Sequence, residues 1–142
     1  MKKIMFICTA NSCRSQMAEG FAREFGKDVI EVHSAGLMAA GVHRRAAAVM
    51  KEVGIDISAQ ESKEIDTDIL KQMDLVVTLC DNAERVCSYI PFDLNRVYIP
   101  IDDPVGTAGS EEIVMNDFRR ARDEIKAAVL KLIEDMGRSE QR

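Results

Sequence analysis

Two short apolar segments, residues 4–7 and 75–79, constrain the fold of this chain more than any other feature. Apart from Thr78 they contain no polar side chain, and each leads directly into a cysteine, Cys8 or Cys80. Strands without polar alternation are typical of the centre of a parallel sheet, where both faces are covered. We therefore expect a buried parallel sheet that presents a thiol at the ends of two strands.

Helical patterns separate the predicted strands, and this alternation predicts a three-layer α/β/α fold with a central four-stranded parallel sheet. The predicted strands are residues 3–8, 29–34, 75–79 and 96–101. The predicted helices are residues 15–25, residues 43–53, a short helix from Asp66 or Thr67 to residue 72, and a long helix capped by Ser110 and ended by Gly137. Ligands of such sheets bind beyond the carboxyl ends of the strands, where Cys8, Cys80 and the Asp102–Asp103 pair would meet.

Length and composition limit the classes of protein to consider. The 142 residues, 46% hydrophobic and 30% charged, predict a single domain over residues 1–142. No apolar run reaches about 18 residues, and the apolar start of the chain is too short for a secretory signal, so we expect a cytoplasmic protein without membrane contact. The net charge of −5 argues against nucleic acid as a partner.

The segment from Cys8 to Ser15 has the composition of an anion-binding loop between a strand and a helix. The candidate binding residues are Thr9, Ala10, Asn11, Ser12, Cys13, Arg14 and Ser15. Small side chains allow backbone N–H groups to turn inward, the helix N-terminus adds partial positive charge, and Arg14 can bind two oxygens of a tetrahedral anion. The same field would stabilise a nucleophilic thiolate on Cys8, while Ser15 either donates to it or caps the helix. The alternative is that Cys8 is merely a small buried hydrophobic residue.

The remaining cysteines indicate a second chemistry. Cys80 ends a neighbouring strand and Cys87 follows seven residues later, a layout in which each sulfur could resolve a bond formed by the previous one. An intact helix would separate these two Cα atoms by roughly 10 Å, so a disulfide between them requires the segment to refold. Two stray loop cysteines are the alternative, and the spacings do not fit a zinc knuckle, so we expect no metal.

A leaving oxygen requires a proton, and the loop after the fourth predicted strand offers two candidates for the donor. Asp103 lies just before Pro104 and is the preferred general acid, with Asp102 as its rival. The alternative is that both aspartates only fix a turn.

These residues together resemble the thioredoxin-coupled arsenate reductases, which share the low-molecular-weight protein tyrosine phosphatase fold. The resemblance covers nearly the whole chain and rests on residues 8–20, on residues 75–80 followed by Cys87, and on residues 102–104. It implies that arsenate binds the loop, with phosphate and sulfate as competing anions, and that Cys8 attacks arsenic while Arg14 holds the anion. It further implies that Cys80 attacks Cys8, that Cys87 attacks Cys80, and that thioredoxin reduces the final pair without a bound cofactor. Asp103 matches the general acid and Asn11 a loop-organising asparagine, while Cys13 has no relay role.

The sequence departs from this family in two places. Ala10 replaces a usual glycine, and it would be strained if that position needs positive φ. Some members hold potassium near the positions of Glu19 and Ser34, and the charge of Lys63 argues against such a site here.

Other functions and other residues also have to be considered. A tyrosine phosphatase is the alternative enzyme, although Val105 stands where an aromatic residue would guide the substrate ring, and a thiol redox switch is the non-enzyme alternative. We expect a monomer, and we interpret His33 and His43 as structural or surface residues.

Overall fold

The structure is a computed structural model that describes residues 1–80, 90–91 and 93–140. Cys87 and most of the segment whose refolding was predicted lie outside these residues. The strands are β1 (Lys2–Cys8), β2 (Ile30–Gly36), β3 (Leu75–Thr78) and β4 (Arg96–Tyr98), and the helices are α1 (Arg14–Phe25), α2 (Arg44–Glu52), α3 (Thr67–Leu70) and α4 (Glu111–Glu140).

Within the described residues the strands form one parallel sheet in the order β2-β1-β3-β4. This arrangement confirms the predicted α/β fold and places β1, which carries Cys8, between two neighbours. Ile7 pairs with Ala35 on one side and with Thr78 on the other. Both apolar segments identified in the sequence are thus interior strands of the sheet.

Both faces of β1 are covered, which explains its unbroken apolar sequence. Ile4 and Phe6 pack into a cluster with residues of α1, α2 and α4, whereas Met5 and Ile7 pack into a second cluster on the opposite face. The first cluster includes Phe118, which is fully buried. Helix α1 therefore leaves the end of β1 and returns along a packed face, which fixes the start of that helix at the sheet edge.

Helix α4 is longer than the sequence predicted. It begins after Ser110, whose hydroxyl accepts a hydrogen bond from the Ile113 N–H, so that end of the prediction is confirmed. The prediction that Gly137 ends the helix is wrong, because the helix continues to Glu140. Nothing lies within 4 Å of a Cβ placed at Gly137, and one glycine costs only about 1 kcal/mol within a helix, so it does not by itself break one. No helix in the described part of the chain is long and apolar enough to span a membrane.

Candidate active site

The loop between β1 and α1 turns its carbonyl groups away from a cavity at the sheet edge. Its carbonyls accept hydrogen bonds from surrounding segments: Thr9 O from Met38 N at 3.2 Å, Ala10 O from Ala40 N at 3.1 Å, Asn11 O from Ser62 Oγ at 2.8 Å, and Ser12 O from His43 N at 2.9 Å. The carbonyl and N–H groups of a peptide point in opposite directions. Since these carbonyls point away from the cavity, the N–H groups of the loop point toward it. Converging N–H groups next to a helix N-terminus form an anion-binding surface.

Asn11 is the residue that shapes the loop. It has φ 45°, a left-handed conformation that asparagine tolerates better than most residues. Its side-chain amide donates to Ser15 Oγ at 2.8 Å and Ser34 Oγ at 3.0 Å, and its Oδ1 accepts from Lys63 N at 2.8 Å. Among the described non-glycine residues Asn11 alone has positive φ, so Ala10 does not meet the condition under which we expected strain: the left-handed turn falls one residue later.

Cys8 and Ser15 face each other beneath the loop. Their Sγ and Oγ atoms are 2.8 Å apart, and both residues are buried. Asn11 already donates to the Ser15 oxygen, and a thiolate has no proton to give, so only the Ser15 hydroxyl can donate between the two when Cys8 is ionised. Of the two roles considered for Ser15, the geometry favours donation to sulfur, since Cys13 occupies the N-cap of α1 and makes no side-chain capping bond.

Arg14 connects the loop to the next element of the rim. Its guanidinium donates from Nη1 to the Ile101 carbonyl at 3.0 Å, and Nη2 lies 3.4 Å from Asp103 Oδ2. The other oxygen of Asp103 accepts from Val105 N at 3.0 Å, and the Asp103 side chain stays 45% exposed. Asp102 instead uses its carbonyl to accept from Arg120 Nη2 at 3.0 Å. This geometry favours Asp103 over Asp102 as the carboxyl group that faces a bound anion.

A cavity of about 500 Å³ opens between the loop and the segment containing Asp103. It is lined by Cys8, Thr9, Ala10, Ser12, Cys13, Arg14, Ala40, His43, Asp103 and Val105. Asn11 and Ser15, predicted as binding residues, lie behind it and support the loop. Burial, followed by the charge of Cys8, raises the pKa of the Cys13 thiol far above its usual range. Cys13 therefore stays protonated near neutral pH and is a poor nucleophile.

Cys80 lies beside Cys8 at the same edge of the sheet. The pairing continues past the strand ends, because Leu79 N donates to the Ile7 carbonyl at 2.9 Å and Ile101 N donates to the Leu79 carbonyl at 3.0 Å. The residues that follow these positions, Cys8, Cys80 and the Asp102–Asp103 pair, are thereby brought to one rim. Cys80 is fully buried and belongs to the same packed cluster as Cys8.

His43 is a site residue that the sequence interpretation missed. It lines the cavity, and its N–H bonds the loop at Ser12, a position that its interpretation as a structural or surface residue did not include. No signal in the sequence indicated this position, because His43 follows no predicted strand end; it reaches the cavity because the segment after β2 wraps around the loop. His33 lies on β2 and contacts Glu31 at 2.9 Å, away from the cavity.

The residues near the potassium position of the resembling family form a different arrangement. Glu19 is 2% exposed; its Oε1 accepts from Ser34 Oγ at 2.6 Å and its Oε2 from Arg23 Nε at 3.0 Å. Lys63 approaches this region through its backbone N–H, which donates to Asn11. Both oxygens of Glu19 thus have donors, and Arg23 supplies the positive charge. The absence of a metal stays a prediction.

The chain is similar to known proteins along nearly its whole length. The family model described as low molecular weight phosphotyrosine protein phosphatase matches residues 3–142. A protein of Halalkalibacterium halodurans named arsenate reductase is 50% identical over 124 residues, which is 87% of this chain and 89% of that protein. A Staphylococcus aureus protein of the same name is 50% identical over 130 residues, which is 92% of this chain and 95% of the relative.

The solved structures include one described as an arsenate reductase in the phosphate binding state. Its TM-score is 0.76 at 37% identity, and the match covers 96% of this chain and 99% of that one. The fold, the anion-binding loop and these similarities agree, and the chain belongs to the low molecular weight phosphotyrosine protein phosphatase family.

Proposed function

We propose that this protein reduces arsenate to arsenite through a relay of Cys8, Cys80 and Cys87 and that thioredoxin regenerates it. The observation that carries the proposal is the position of Cys80, a second free thiol buried beside Cys8 at the edge of the sheet. A phosphatase needs one cysteine and a water molecule, whereas two neighbouring thiols can donate a pair of electrons to the bound anion by joining as a disulfide. The names of the relatives at about 50% identity support the same reaction.

In the first step the anion binds against the loop N–H groups and the Arg14 guanidinium. The Cys8 thiolate, held by the Ser15 hydroxyl, forms a sulfur–arsenic bond while an arsenic–oxygen bond breaks. Asp103 gives the departing oxygen its proton, so that water leaves. Phosphate and sulfate share the tetrahedral shape and charge of arsenate and would compete for the loop.

In the second step Cys80 attacks the sulfur of Cys8. A Cys8–Cys80 disulfide forms, the sulfur–arsenic bond breaks, and its electron pair stays on arsenic, which changes from the +5 to the +3 state and leaves as arsenite. Cys87 then attacks Cys80, which frees the Cys8 thiolate and leaves a Cys80–Cys87 disulfide. The two thiols of thioredoxin reduce that disulfide, so one dithiol is consumed for each arsenate.

The setting that suits this reaction is the reducing cytoplasm, where the cysteines remain thiols between cycles. The protein would act there in arsenic detoxification, as a monomer and without a bound cofactor. Gel filtration coupled to light scattering tests the oligomeric state, and a mass of twice the 15.8 kDa chain would contradict it.

Arsenate turnover by three single variants tests the relay. Cys8→Ser, Cys80→Ser and Cys87→Ser are assayed with thioredoxin, thioredoxin reductase and NADPH, and all three are expected to lose multiple turnover. Cys13→Ser is the matched control for loss of a buried thiol, since Cys13 lines the cavity but has no place in the relay, and it should keep multiple turnover. Multiple turnover by Cys87→Ser would contradict the role of Cys87 as the third thiol. Loss of turnover in Cys8→Ser alone would contradict the relay and leave phosphatase chemistry as the explanation.

Phosphatase activity is the second candidate, because the loop and the family both support it. Hydrolysis of p-nitrophenyl phosphate should require Cys8 and Arg14 but neither Cys80 nor Cys87. Val105 lines the cavity where a ring platform would stand, so this activity is expected to be weak. A thiol switch would instead give at most one arsenite per protein even with the full reducing system.

A further inference from the structure

The cavity is also lined by a polar side chain that the relay does not use. His43 is the N-cap of α2, and its backbone N–H is bonded to the Ser12 carbonyl of the anion loop at 2.9 Å. Its imidazole ring rests on Phe118 with the ring centroids 5.0 Å apart. Since Phe118 is fully buried, it supports the His43 ring from the side of the core. The backbone of His43 is at the same time held by the loop.

The hydrogen bond to Nδ1 determines which nitrogen carries the proton. Arg45 N donates to His43 Nδ1 at 3.1 Å, and an accepting Nδ1 has no hydrogen, so the hydrogen of the neutral ring lies on Nε2. Burial, followed by the charges of Arg45 and Arg44, lowers the pKa of His43 below its ordinary value, against the smaller opposing effect of Asp103. The ring is therefore neutral near pH 7.

No described residue accepts a hydrogen bond from His43 Nε2, although the side chain borders the cavity that contains Cys8 and Arg14. We propose that His43 is an anion-binding residue whose Nε2–H donates to an oxygen of the oxyanion held by the loop. It would add a neutral donor to the lining of the cavity, and the negative charge of the bound oxyanion would strengthen its hydrogen bond. This inference rests on the proposed function only in that the loop must bind an anion.

Two substitutions separate donation from helix capping. His43→Ser keeps an acceptor for the Arg45 N–H, since serine is a good N-cap, but it removes the donor. His43→Gln places an amide N–H near the position of Nε2 but is a poor cap. Inorganic phosphate is titrated into each reduced full-length protein by calorimetry at pH 7.5, and the KM for arsenate is measured alongside.

His43→Ser is expected to weaken phosphate binding by roughly ten-fold and to raise the KM for arsenate similarly with little change in kcat, because the lost hydrogen bond has a charged acceptor. His43→Gln should retain most of the affinity despite a lower melting temperature. Unchanged affinity in His43→Ser would overturn the proposal. An equal loss in both variants would also overturn it, since the effect would then come from ring packing on Phe118.

Arg14→Gln distinguishes failure of this inference from failure of the anion loop. Loss of phosphate binding in Arg14→Gln, together with normal binding in His43→Ser, would reject only the role of His43. Normal phosphate binding in Arg14→Gln would show that the loop is not the anion site and would reject both.

Discussion

Ser15 shows how one buried hydroxyl can contact both the loop and Cys8. It lies 2.8 Å from Cys8 Sγ and accepts from Asn11 at the same distance. Asn11 also bonds Ser34, so β2, the loop and Cys8 share one polar network. Every buried side-chain nitrogen and oxygen among the described residues has a hydrogen-bond partner. Removing one member of this network therefore leaves a buried polar atom without its hydrogen bond.

Ser15→Ala is expected to slow alkylation of Cys8 by iodoacetamide at pH 7 and to reduce kcat/KM for arsenate by about ten-fold, because the thiolate loses a charge-assisted hydrogen bond. Mass spectrometry of the peptide containing Cys8 separates its reaction from that of the other cysteines. Ser15→Thr keeps a hydroxyl and should recover part of the rate. Ser110→Ala, a change at the start of α4, is the control, and equal rates in all three variants would contradict the assigned role.

At the scale of elements, the loop between β4 and α4 is attached to α4 at two points. Arg120 Nη2 donates to the Asp102 carbonyl at 3.0 Å, and the Thr107 hydroxyl donates to Asp117 Oδ2 at 2.5 Å. Arg120 Nε also donates to Asp117 Oδ1 at 2.9 Å, which joins the two attachments. Asp103 lies between them, so α4 fixes the position of the carboxyl group that faces the cavity.

Arg120→Gln is expected to lower kcat for arsenate by about five-fold, because a loosened loop leaves Asp103 misplaced for proton transfer. In an Asp103→Asn background the same change should have little further effect, since the group being positioned is already absent. Arg119→Gln is the matched control, as Arg119 bonds Glu52 instead of the loop. Multiplicative losses in the double variant would show that Arg120 acts independently of Asp103.

At the scale of the whole molecule, one ion-pair cluster joins α2 to α4. Glu52 accepts from Arg119 Nη2 at 2.7 Å and from Arg122 Nη1 at 2.8 Å, and Arg122 also donates to the Val49 carbonyl at 2.9 Å. The hydrogen bonds from Arg119 and then Arg122 lower the pKa of Glu52 from 4.5 to about 2. The Glu52 side chain is 38% exposed, so solvent screening limits its contribution to stability to about 1 kcal/mol.

This shift predicts a defined pH dependence of stability. A carboxyl group with a lowered pKa in the folded state stabilises the protein above its unfolded pKa of 4.5, and the contribution is lost as pH falls from there to about 2. Glu52→Gln should thus be less stable than the parent at pH 7 in urea unfolding, and the difference should shrink below pH 4.5. Glu24→Gln, an exposed change on α1, is the control, and a difference that persists to pH 2.5 would contradict the assignment.

Much of the fold and part of the site followed from the sequence because their signals are local. The apolar runs defined β1 and β3, and the topology of a parallel sheet then placed Cys8 and Cys80 on one rim. His43 could not be found in this way, since its position depends on a bond from its backbone to Ser12 across about thirty residues of chain. The left-handed turn at Asn11 was also missed, because the network that selects it involves Ser34 and Lys63.

Because the carbonyls of the anion loop point outward and are bonded by distant segments, the motif cannot adopt its structure by itself. Their donors come from residues 38–43 and 62, and a Cβ at Gly36 would lie 2.6 Å from Asn11 N, so β2 must close against the loop without a side chain. A peptide of residues 1–26 contains every residue of the motif yet lacks the partners that orient its amides. The capacity to hold an oxyanion is thus acquired only when distant segments of the chain have assembled, and bound phosphate reports completed folding.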